Sequence, residues 1–288
     1  MAPRTFDAER CLEAALAACR RAGTIHREHF RSEGLAVERK ADRSPVTLAD
    51  RGSEEAIRET LRKATPELGL LGEEFGQEGD ERDRWVIDPL DGTKNFVAGL
   101  PYFATLIGLQ LDSELVLGVV HAAALGPGAG IGAAPSGMDE AGFGETWWAV
   151  RGQGAFAGTG TALATCQQRQ LRVSETRELE RAFLAHGGLV YFQRNGLWPA
   201  ISDLIARAGR TRGFGDWWGH MLVAEGRCDA MIEGAVAYHD VAAIKPILEE
   251  AGGIFFARDD APLGADFHAP VVSSNRGLAE AIRNALGF

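Results

Sequence analysis

The sequence contains no long apolar run. No segment approaches the ~18–20 consecutive apolar residues that a membrane-spanning helix needs. The N-terminal stretch MAPRTFDAERCLEAALAACRRAG is interrupted by charged side chains and lacks the apolar core of a secretion signal. These absences argue against a membrane partner and predict a soluble protein of the cytoplasm.

Cysteine and positive charge are also scarce. The four cysteines, Cys11, Cys19, Cys166 and Cys228, are scattered and form no CxxC pair. This pattern argues against a disulfide framework or a zinc ribbon, and it favours a reducing compartment. The net charge of -10 argues against a nucleic-acid-binding surface, which would cluster Lys and Arg. A phosphorylated ligand stays open, because bound cations reverse the sign of the local charge.

The periodicity of apolar residues predicts an α+β or layered α/β protein. Residues 6–30 and 47–64 have helical spacing, whereas short alternating runs between 68 and 121 indicate strands, with a hairpin turn at Asp112-Ser113. The segment 123–144 is rich in Gly, Ala and Pro, and we expect it to be a flexible surface loop. The second half predicts strands at RAFLAH, CDAMIE, GIFFA and APVVSS and helices at 196–208, 216–226, 240–251 and 275–286. Layers of strands with helices packed on them fit this order.

Acidic residues follow several of the apolar runs. Glu73 and Glu74 follow one predicted strand, Asp88 and Asp91 follow the strand Trp85-Val86-Ile87, and Asp240 begins a helix. Each has an ordinary explanation taken alone: Asp240 as a helix N-cap, Asp91-Gly92 as a turn, and the glutamates as a solvated turn. Together, they suit a hard cation such as magnesium, which takes oxygen ligands.

The stretch DPLDGT adds a geometric argument. Charges at the end of an apolar strand cost free energy unless something positive lies beside them. Aspartates three residues apart share a face only if the chain turns, and Pro89 sets such a turn. Both carboxylates could then bind adjacent cations, with a backbone carbonyl between them. The N–H groups of Gly92 and Thr93 would suit a phosphate. This combination predicts metal-assisted phosphate chemistry.

These motifs resemble the inositol monophosphatase family of magnesium-dependent phosphatases. The resemblance rests on VIDPLDGTKNF, with GEE upstream and YHDVAA downstream, and it extends from KADRSPVTLAD to ILEEAGG. It implies a layered α-β-α-β-α sandwich, one catalytic unit over residues 1–288, and usually a homodimer. Two subdomains would be a metal-site half, about 1–185, and a substrate-selecting half, about 186–288. The loop 123–144 is longer than usual in the family, which bears on the dimer interface.

The resemblance also implies roles for individual residues. Two or three Mg²⁺ ions would be bound, and Asp50 and Thr93 would orient the attacking water near the Glu73 metal, with the amides of Gly92 and Thr93 on the phosphate. The metal ligands would be Glu73, Asp88, the Leu90 carbonyl, Asp91 and Asp240.

The expected substrate is a small phosphorylated metabolite, and its identity depends on residues outside this shared set. Asp216, in GFGDWWGH, occupies a position that is small in inositol-type members, and the pattern is similar to the histidinol-phosphate phosphatases. Its carboxylate suits an ammonium group, and Glu233 would be a second substrate contact. Lys94 favours the same substrate. The alternative for Asp216 is an N-cap of helix 216–226.

Three functions are therefore open: hydrolysis of histidinol phosphate, which we favour; hydrolysis of inositol phosphate or another small sugar phosphate; and a non-catalytic regulatory role. The complete set of acids argues against the third.

Overall fold

The computed structural model describes residues 6–32, 37–39, 45–125, 143–162 and 168–288. The helices in these ranges are α1 Ala8–His29, α2 Leu48–Ala64, α3 Thr93–Val97, α4 Leu189–Arg194, α5 Trp198–Arg207, α6 Asp216–Ala224, α7 Tyr238–Ala242, α8 Ile244–Glu250 and α9 Ala279–Leu286. The strands are β1 Val37–Arg39, β2 Pro45–Thr47, β3 Gly69–Gly72, β4 Gly76–Glu78, β5 Arg84–Asp91, β6 Ala104–Leu111, β7 Glu114–Ala122, β8 Glu145–Val150, β9 Gly154–Thr159, β10 Arg169–Gln170, β11 Phe183–His186, β12 Arg210–Arg212, β13 Ala230–Ala237, β14 Ile254–Ala257 and β15 His268–Ser274.

Strands β1 and β2 pair with each other, and the other strands form two large sheets. The first has eight strands in the order β10-β9-β8-β7-β6-β5-β3-β4, and the second has five in the order β12-β11-β13-β15-β14. In the eight-stranded sheet β5 is a central strand, parallel to β3 and antiparallel to β6. The carboxyl ends of β3 and β5 therefore lie side by side at the same end of the strands.

Helices cover both sheets and fill the space between them. On one face of the eight-stranded sheet, α1 and α2 pack on apolar residues that include Trp85 and Ile87. On its other face, α6 and α8 pack against Leu106 of β6 and also against the five-stranded sheet. The outer face of the five-stranded sheet is covered by α5 and α9. This order of layers confirms the predicted α-β-α-β-α sandwich.

Alternation along β5 decides which side chains point toward the middle layer. Trp85 and Ile87 belong to the core under α1 and α2, whereas Val86 packs with α7 on the opposite face. Because side chains alternate with a period of two, Asp88 points to the same side as Val86. The pairing with β6 then shifts register between Asp88 and Asp91, so that the strand bulges at the proline of the motif.

Several boundaries differ from the sequence predictions. The helix predicted over 240–251 is two helices, α7 and α8, which meet at Ala243, and the first begins before Asp240. The last helix begins at Ala279 because Asn275 makes a side-chain turn, in which its Oδ1 accepts the N–H of Leu278. The short helix α4 was not predicted. The turn at Asp112-Ser113 is confirmed, with positive φ at both residues.

Most of the segment 123–144 lies outside the described residues, so its predicted mobility stays a prediction. Its two ends are described. Ala123 and Phe143 are buried, and the Arg27 guanidinium lies 3.9 Å from the centroid of the Phe143 ring. The ends of the segment are therefore packed on the core.

Among the described residues, no helix is long and apolar enough to cross a membrane.

Candidate active site

The acidic residues singled out in the sequence meet where the two sheets face each other. Glu73 directly follows β3, and its N–H donates to the Ile87 carbonyl of the neighbouring strand. Asp88 and Asp91 lie at the end of β5 on either side of the bulge, and Asp240 comes from α7, which follows β13 of the other sheet. One centre is thus assembled from both sheets.

Asp88 lies at the middle of this centre and is almost completely buried. Ligand atoms of Glu73, Asp88 and His239 all lie within 4.8 Å of one another. Burial raises the pKa of Asp88 well above its ordinary value, and the nearby carboxylates of Glu73, Asp91 and Asp240 raise it further. Burial and the neighbouring Asp216 raise the pKa of Asp91 in the same way. Carboxylates this crowded repel one another unless a cation lies between them.

The donor chemistry fits a hard divalent cation. Carboxylate and carbonyl oxygens dominate this set, and Mg²⁺ prefers such ligands. The imidazole of His239 lies 3.3 Å from Asp240 Oδ1 and 3.9 Å from Glu73 Oε1, so its Nε2 is within reach of two of the acids. That position suits a group that orients metal-binding carboxylates.

Asp240 does not cap its helix in the usual way. Ala237 is the N-cap residue, and Asp240 is the third residue of α7. Its Oδ2 accepts the Ala237 N–H at 2.7 Å, which leaves Oδ1 beside His239. Oδ2 of Asp240 therefore holds the start of α7, and Oδ1 faces the acidic centre.

A second group of contacts joins Asp50 to Thr93. Thr93 Oγ1 lies 2.9 Å from Asp50 Oδ1 and 3.0 Å from the Leu90 carbonyl oxygen, so its single proton alternates between two acceptors. The other oxygen of Asp50 accepts the N–H and the hydroxyl of Thr47. Burial raises the pKa of Asp50. The hydroxyl and carboxylate form a polar pair beside the end of β5.

Gly92 makes the turn between β5 and α3. Its φ is +87°, a conformation that residues with a Cβ rarely adopt, and a Cβ there would lie 2.7 Å from the Tyr102 carbonyl oxygen. The first N–H groups of a helix have no acceptor within it. The amides of Gly92 and Thr93 belong to this start of α3, directly after Asp91.

The structure brings Asp216 into the same centre and excludes the N-cap alternative. The N-cap of α6 is Gly215, and Asp216 is the first helical residue, with φ +50°. Its Oδ2 accepts a hydrogen bond from Asn95 Nδ2 at 3.0 Å. Burial and Asp240 raise the pKa of Asp216, whereas the Lys94 ammonium and the Asn95 amide lower it.

Glu233 lies behind Asp216. Its Oε1 accepts the Asp216 N–H at 2.9 Å, and a Cβ on Gly187 would lie 1.7 Å from its Oε2. Glu233 is 5% exposed, and burial followed by the charge of Asp216 raises its pKa well above the ordinary value. The next amide of the helix, Trp217 N–H, donates to Asp91 Oδ2 at 2.9 Å. Two consecutive amides at the start of α6 therefore bind two different acids of the centre, Glu233 and Asp91.

Other residues of this region have structural positions. Trp217 is fully buried against Trp147, and His220 Nδ1 lies 2.7 Å from Ser273 Oγ in the core. Trp218 stacks on Tyr102, with ring centroids 4.6 Å apart. Trp217, Trp218 and His220, which all belong to α6, therefore hold this helix against its neighbours.

Three contacts were not anticipated from the sequence: those of Asn95 with Asp216, of the Trp217 amide with Asp91, and of Tyr191 with Lys94. Tyr191 lies on α4, and its hydroxyl is 3.3 Å from Lys94 Nζ. Only the motif position of Asn95, two residues after Thr93, could have indicated its role. Nothing in the local sequence marks the other two.

Comparison with known proteins supports the architecture. A sequence profile of the inositol monophosphatase family matches residues 7–287. Histidinol-phosphatases of Streptomyces coelicolor and Mycobacterium tuberculosis are each 39% identical; the alignments cover 82% of this chain and 82% of the first, and 83% of this chain and 84% of the second. An inositol-1-monophosphatase of Caulobacter vibrioides is 32% identical over 85% of this chain and 88% of its own.

A solved structure shows the same fold. The solved structure of Thermotoga maritima IMPase superposes with a TM-score of 0.77, at 28% sequence identity, over 96% of each chain. The chain belongs to the inositol monophosphatase family of phosphoric monoester hydrolases.

Proposed function

We propose that the protein is a Mg²⁺-dependent phosphatase that hydrolyses L-histidinol phosphate to L-histidinol and phosphate, a reaction of histidine biosynthesis. The observation that carries this choice of substrate is the position of Asp216. Its carboxylate does not cap α6 and lies within the acidic centre, beside Glu233 and Asp91. A carboxylate there attracts a ligand that carries an ammonium group as well as a phosphate.

The acids of the two sheets would hold the metal. Glu73, Asp88 and the Leu90 carbonyl would bind one Mg²⁺, and Asp88, Asp91 and Asp240 a second, with room for a third left open. Bound Mg²⁺ supplies positive charge for the phosphoryl oxygens and the leaving oxygen, and it makes a coordinated water more acidic.

The chain's own residues then act on the water and the ester. Asp50 and Thr93 are held 2.9 Å apart, so the Thr93 hydroxyl can orient a water in line with phosphorus while Asp50 accepts the proton through it. The amides of Gly92 and Thr93 would bind the phosphate, because N–H groups at the start of a helix have no acceptor within it. Phosphoryl transfer depends mostly on positioning and charge, so no covalent enzyme intermediate is required.

The substrate's amine would be bound by Asp216, with Glu233 accepting a hydrogen bond from the amine or the imidazole. Asn95 holds the Asp216 carboxylate from the side of the phosphate-binding turn. The distance between the amine and phosphate sites is thereby fixed by one chain of contacts. The 39% identity to two histidinol-phosphatases supports this assignment.

The test compares phosphate release from L-histidinol phosphate, inositol 1-phosphate and adenosine bisphosphate with Mg²⁺, for wild type and Asp216→Asn. A charge-assisted hydrogen bond contributes ~1.5–3 kcal/mol, so the substitution should lower kcat/KM on histidinol phosphate by roughly one to two orders of magnitude. Inositol phosphate has no ammonium group, and its kcat/KM should change little. Equal losses on both substrates would make Asp216 a structural residue and leave the substrate open.

Hydrolysis of inositol phosphate or another sugar phosphate is the second candidate, favoured by the 32% identity to an inositol-1-monophosphatase. A higher kcat/KM on inositol 1-phosphate than on histidinol phosphate would establish it. Turnover of any monoester would exclude a purely regulatory role.

We also propose that the protein acts as a homodimer in the cytoplasm. Light scattering of the purified protein at micromolar concentration tests the dimer, and fractionation of the source cells tests the compartment.

A further inference from the structure

One buried carboxylate is neither a proposed metal ligand nor a proposed substrate contact. It lies beneath the turn at residues 73–75, which joins β3 to β4 and is called the Glu73 turn below. Glu54 lies on α2 with no exposed surface. Its Oε2 accepts the Glu74 N–H at 2.7 Å, and its Oε1 accepts the Phe75 N–H at 3.2 Å. Both donors belong to the two residues that follow Glu73. The turn that carries this proposed metal ligand is therefore bound to α2 through one side chain.

Arg58, one turn further along α2, completes the connection. Its Nε donates to Glu54 Oε1 at 2.8 Å, and its other nitrogens donate to the Gly76 carbonyl and to Glu78 Oε2. Gly76 and Glu78 belong to β4, the strand after the turn. The pair therefore contacts the hairpin at its tip and along its second strand.

The backbone of β3 is adapted to this carboxylate. A Cβ on Gly72, the residue before Glu73, would lie 1.9 Å from Glu54 Oε1. Gly72 is not in the left-handed region, so the close approach of the side chain is what requires glycine here. Any larger residue would displace either the carboxylate or the strand end.

The position of Glu54 on α2 relates it to the catalytic pair. Asp50 lies four residues earlier, on the same face of the helix. One helix thus holds the carboxylate that contacts Thr93 and, one turn later, the carboxylate that holds the turn after Glu73. The relative position of the proposed metal ligand and the proposed water-orienting pair depends on this single rigid element.

We propose that Glu54, together with Arg58, is a positioning residue that fixes the Glu73 turn in the geometry required for metal binding. This inference rests on the metal site proposed above. A buried ion pair by itself contributes little net stability, because desolvation offsets the attraction. Glu54 also accepts the two backbone N–H groups that follow the proposed metal ligand Glu73, so it holds that ligand in place. Loss of a group that orients a metal ligand typically lowers metal affinity 10–100-fold.

The main test is Glu54→Gln, a substitution of nearly equal size. The new side-chain amide has two possible orientations. With its oxygen in the place of Oε1, its NH₂ group faces the Glu74 N–H. With its oxygen in the place of Oε2, its NH₂ group faces the Arg58 guanidinium. Two donors oppose each other in both cases, and the turn must move. We expect the affinity for Mn²⁺, measured by calorimetric titration of the substrate-free protein, to fall by ~10–100-fold. The apparent KM for Mg²⁺ should rise by a similar factor, with a smaller change in kcat at saturating metal.

Gly72→Ala is the second variant. It keeps the charge of Glu54 and displaces its carboxylate through the added methyl group. We expect the same direction of change in Mn²⁺ affinity as for Glu54→Gln, at about ten-fold. Agreement between the two variants would assign the effect to the placement of the carboxylate and not to the loss of its charge.

Asp229→Asn serves as the matched control. Asp229 is also a buried carboxylate that accepts a backbone N–H, from Phe183 at 2.6 Å, and a hydroxyl, from Ser174 at 2.5 Å. It lies in the other half of the chain, before β13. We expect the Asp229→Asn variant to melt at a lower temperature than wild type, while its affinity for Mn²⁺ stays within about two-fold of the wild-type value.

The outcomes separate this inference from the proposed function. If Glu54→Gln and Gly72→Ala melt at lower temperature but bind Mn²⁺ as wild type does, Glu54 is only structural and the inference is wrong. If wild type itself binds no Mn²⁺ or Mg²⁺, the proposed metal site is wrong. If Asp229→Asn weakens Mn²⁺ binding as much as the other two, general destabilisation explains the effect and the positioning role is rejected.

Discussion

The two sheets contribute to the active site in different ways. The eight-stranded sheet presents Glu73, Asp88 and Asp91 from the ends of adjacent strands, whose positions are set by backbone hydrogen bonds. The five-stranded sheet contributes Asp240 from the helix that follows β13, and Asp216 precedes that strand on α6. Strand ends in a sheet vary little in position, whereas helix starts and loops tolerate changes of sequence. The first sheet therefore supplies three of the acids from the ends of its strands, whereas the second supplies Asp240 and Asp216 from the helices that adjoin β13.

The largest expected effect is in the eight-stranded sheet. Asp88→Asn should lower kcat by about three orders of magnitude on every substrate, because metal-supplied charge stabilisation contributes several kcal/mol and ~1.4 kcal/mol is a factor of ten. Addition of a chelator to wild type should give a similar loss.

The fold should survive Asp88→Asn. The substitution removes a buried charge that is close to other carboxylates. We expect the metal-free melting temperature to equal or exceed that of wild type. Near-normal turnover of the variant, or of wild type in chelator, would refute the metal assignment.

A smaller loss, also independent of substrate, is expected at Thr93. Thr93→Val removes the hydroxyl that contacts Asp50 while keeping the shape of the side chain. Loss of a group that orients and deprotonates water should lower kcat ~100-fold on both histidinol phosphate and inositol phosphate. Thr93→Ser is the control and should keep most of the activity. A loss confined to one substrate would move Thr93 from the chemistry to substrate selection.

The contact between the two sheets through α6 predicts an effect on stability. The side chain of Glu225, at the end of α6, is 4% exposed and accepts hydrogen bonds from Trp147 Nε1 and Arg169 Nη2 at 2.6 Å each. Glu225→Ala should lower the free energy of unfolding by about 2 kcal/mol, because Trp147 Nε1 loses its acceptor and Arg169 keeps only its contact with Glu145. The melting temperature should then fall by ~4–8 °C.

The control for this prediction is Glu114→Ala, which removes the exposed Arg151–Glu114 ion pair. Exposed pairs contribute at most ~1 kcal/mol, so the melting temperature should change little. If the two variants melted at the same temperature, the Glu225 contacts would not hold the layers together.

The smallest effect concerns pH. Burial lowers the pKa of His220 to about 3, from an ordinary value of 6.5. As the pH falls below 6.5 the unfolded chain takes up a proton that the folded protein does not, so stability is complete above pH 6.5 and decreases toward pH 3. His220→Gln keeps an acceptor for Ser273 and removes this titration.

Urea unfolding at pH 7.5 and 5.5 measures the difference. The variant should lose about 1.4 kcal/mol less than wild type over that interval. Identical losses in the two proteins would mean that His220 has the same pKa in the folded and unfolded states, and the pKa shift on folding would be refuted.

The sequence predicted the layers and the acidic centre because both depend on local patterns. The apolar run Trp85-Val86-Ile87 predicted a strand that ends at Asp88, and the Asp-Pro-Leu-Asp motif indicated a turn where the structure has a bulge. Glu54 shows the limit of this reasoning. It lies on the inward stripe of α2 with Ile57 and Leu61, where a carboxylate is a signal of a buried polar contact, but helical spacing does not identify the partner.

The amino-acid sequence by itself determined where most of the longer strands and helices lie, which of their faces are apolar, and which acids follow the strands, because these properties depend on residues within a few positions of one another. Tertiary structure decided which acids meet. Trp217 donates to Asp91 across 126 positions, and Asn95 to Asp216 across 121. Such contacts depend on how whole layers pack, and the packing of layers follows from the summed burial of many apolar side chains, which no short stretch of sequence contains.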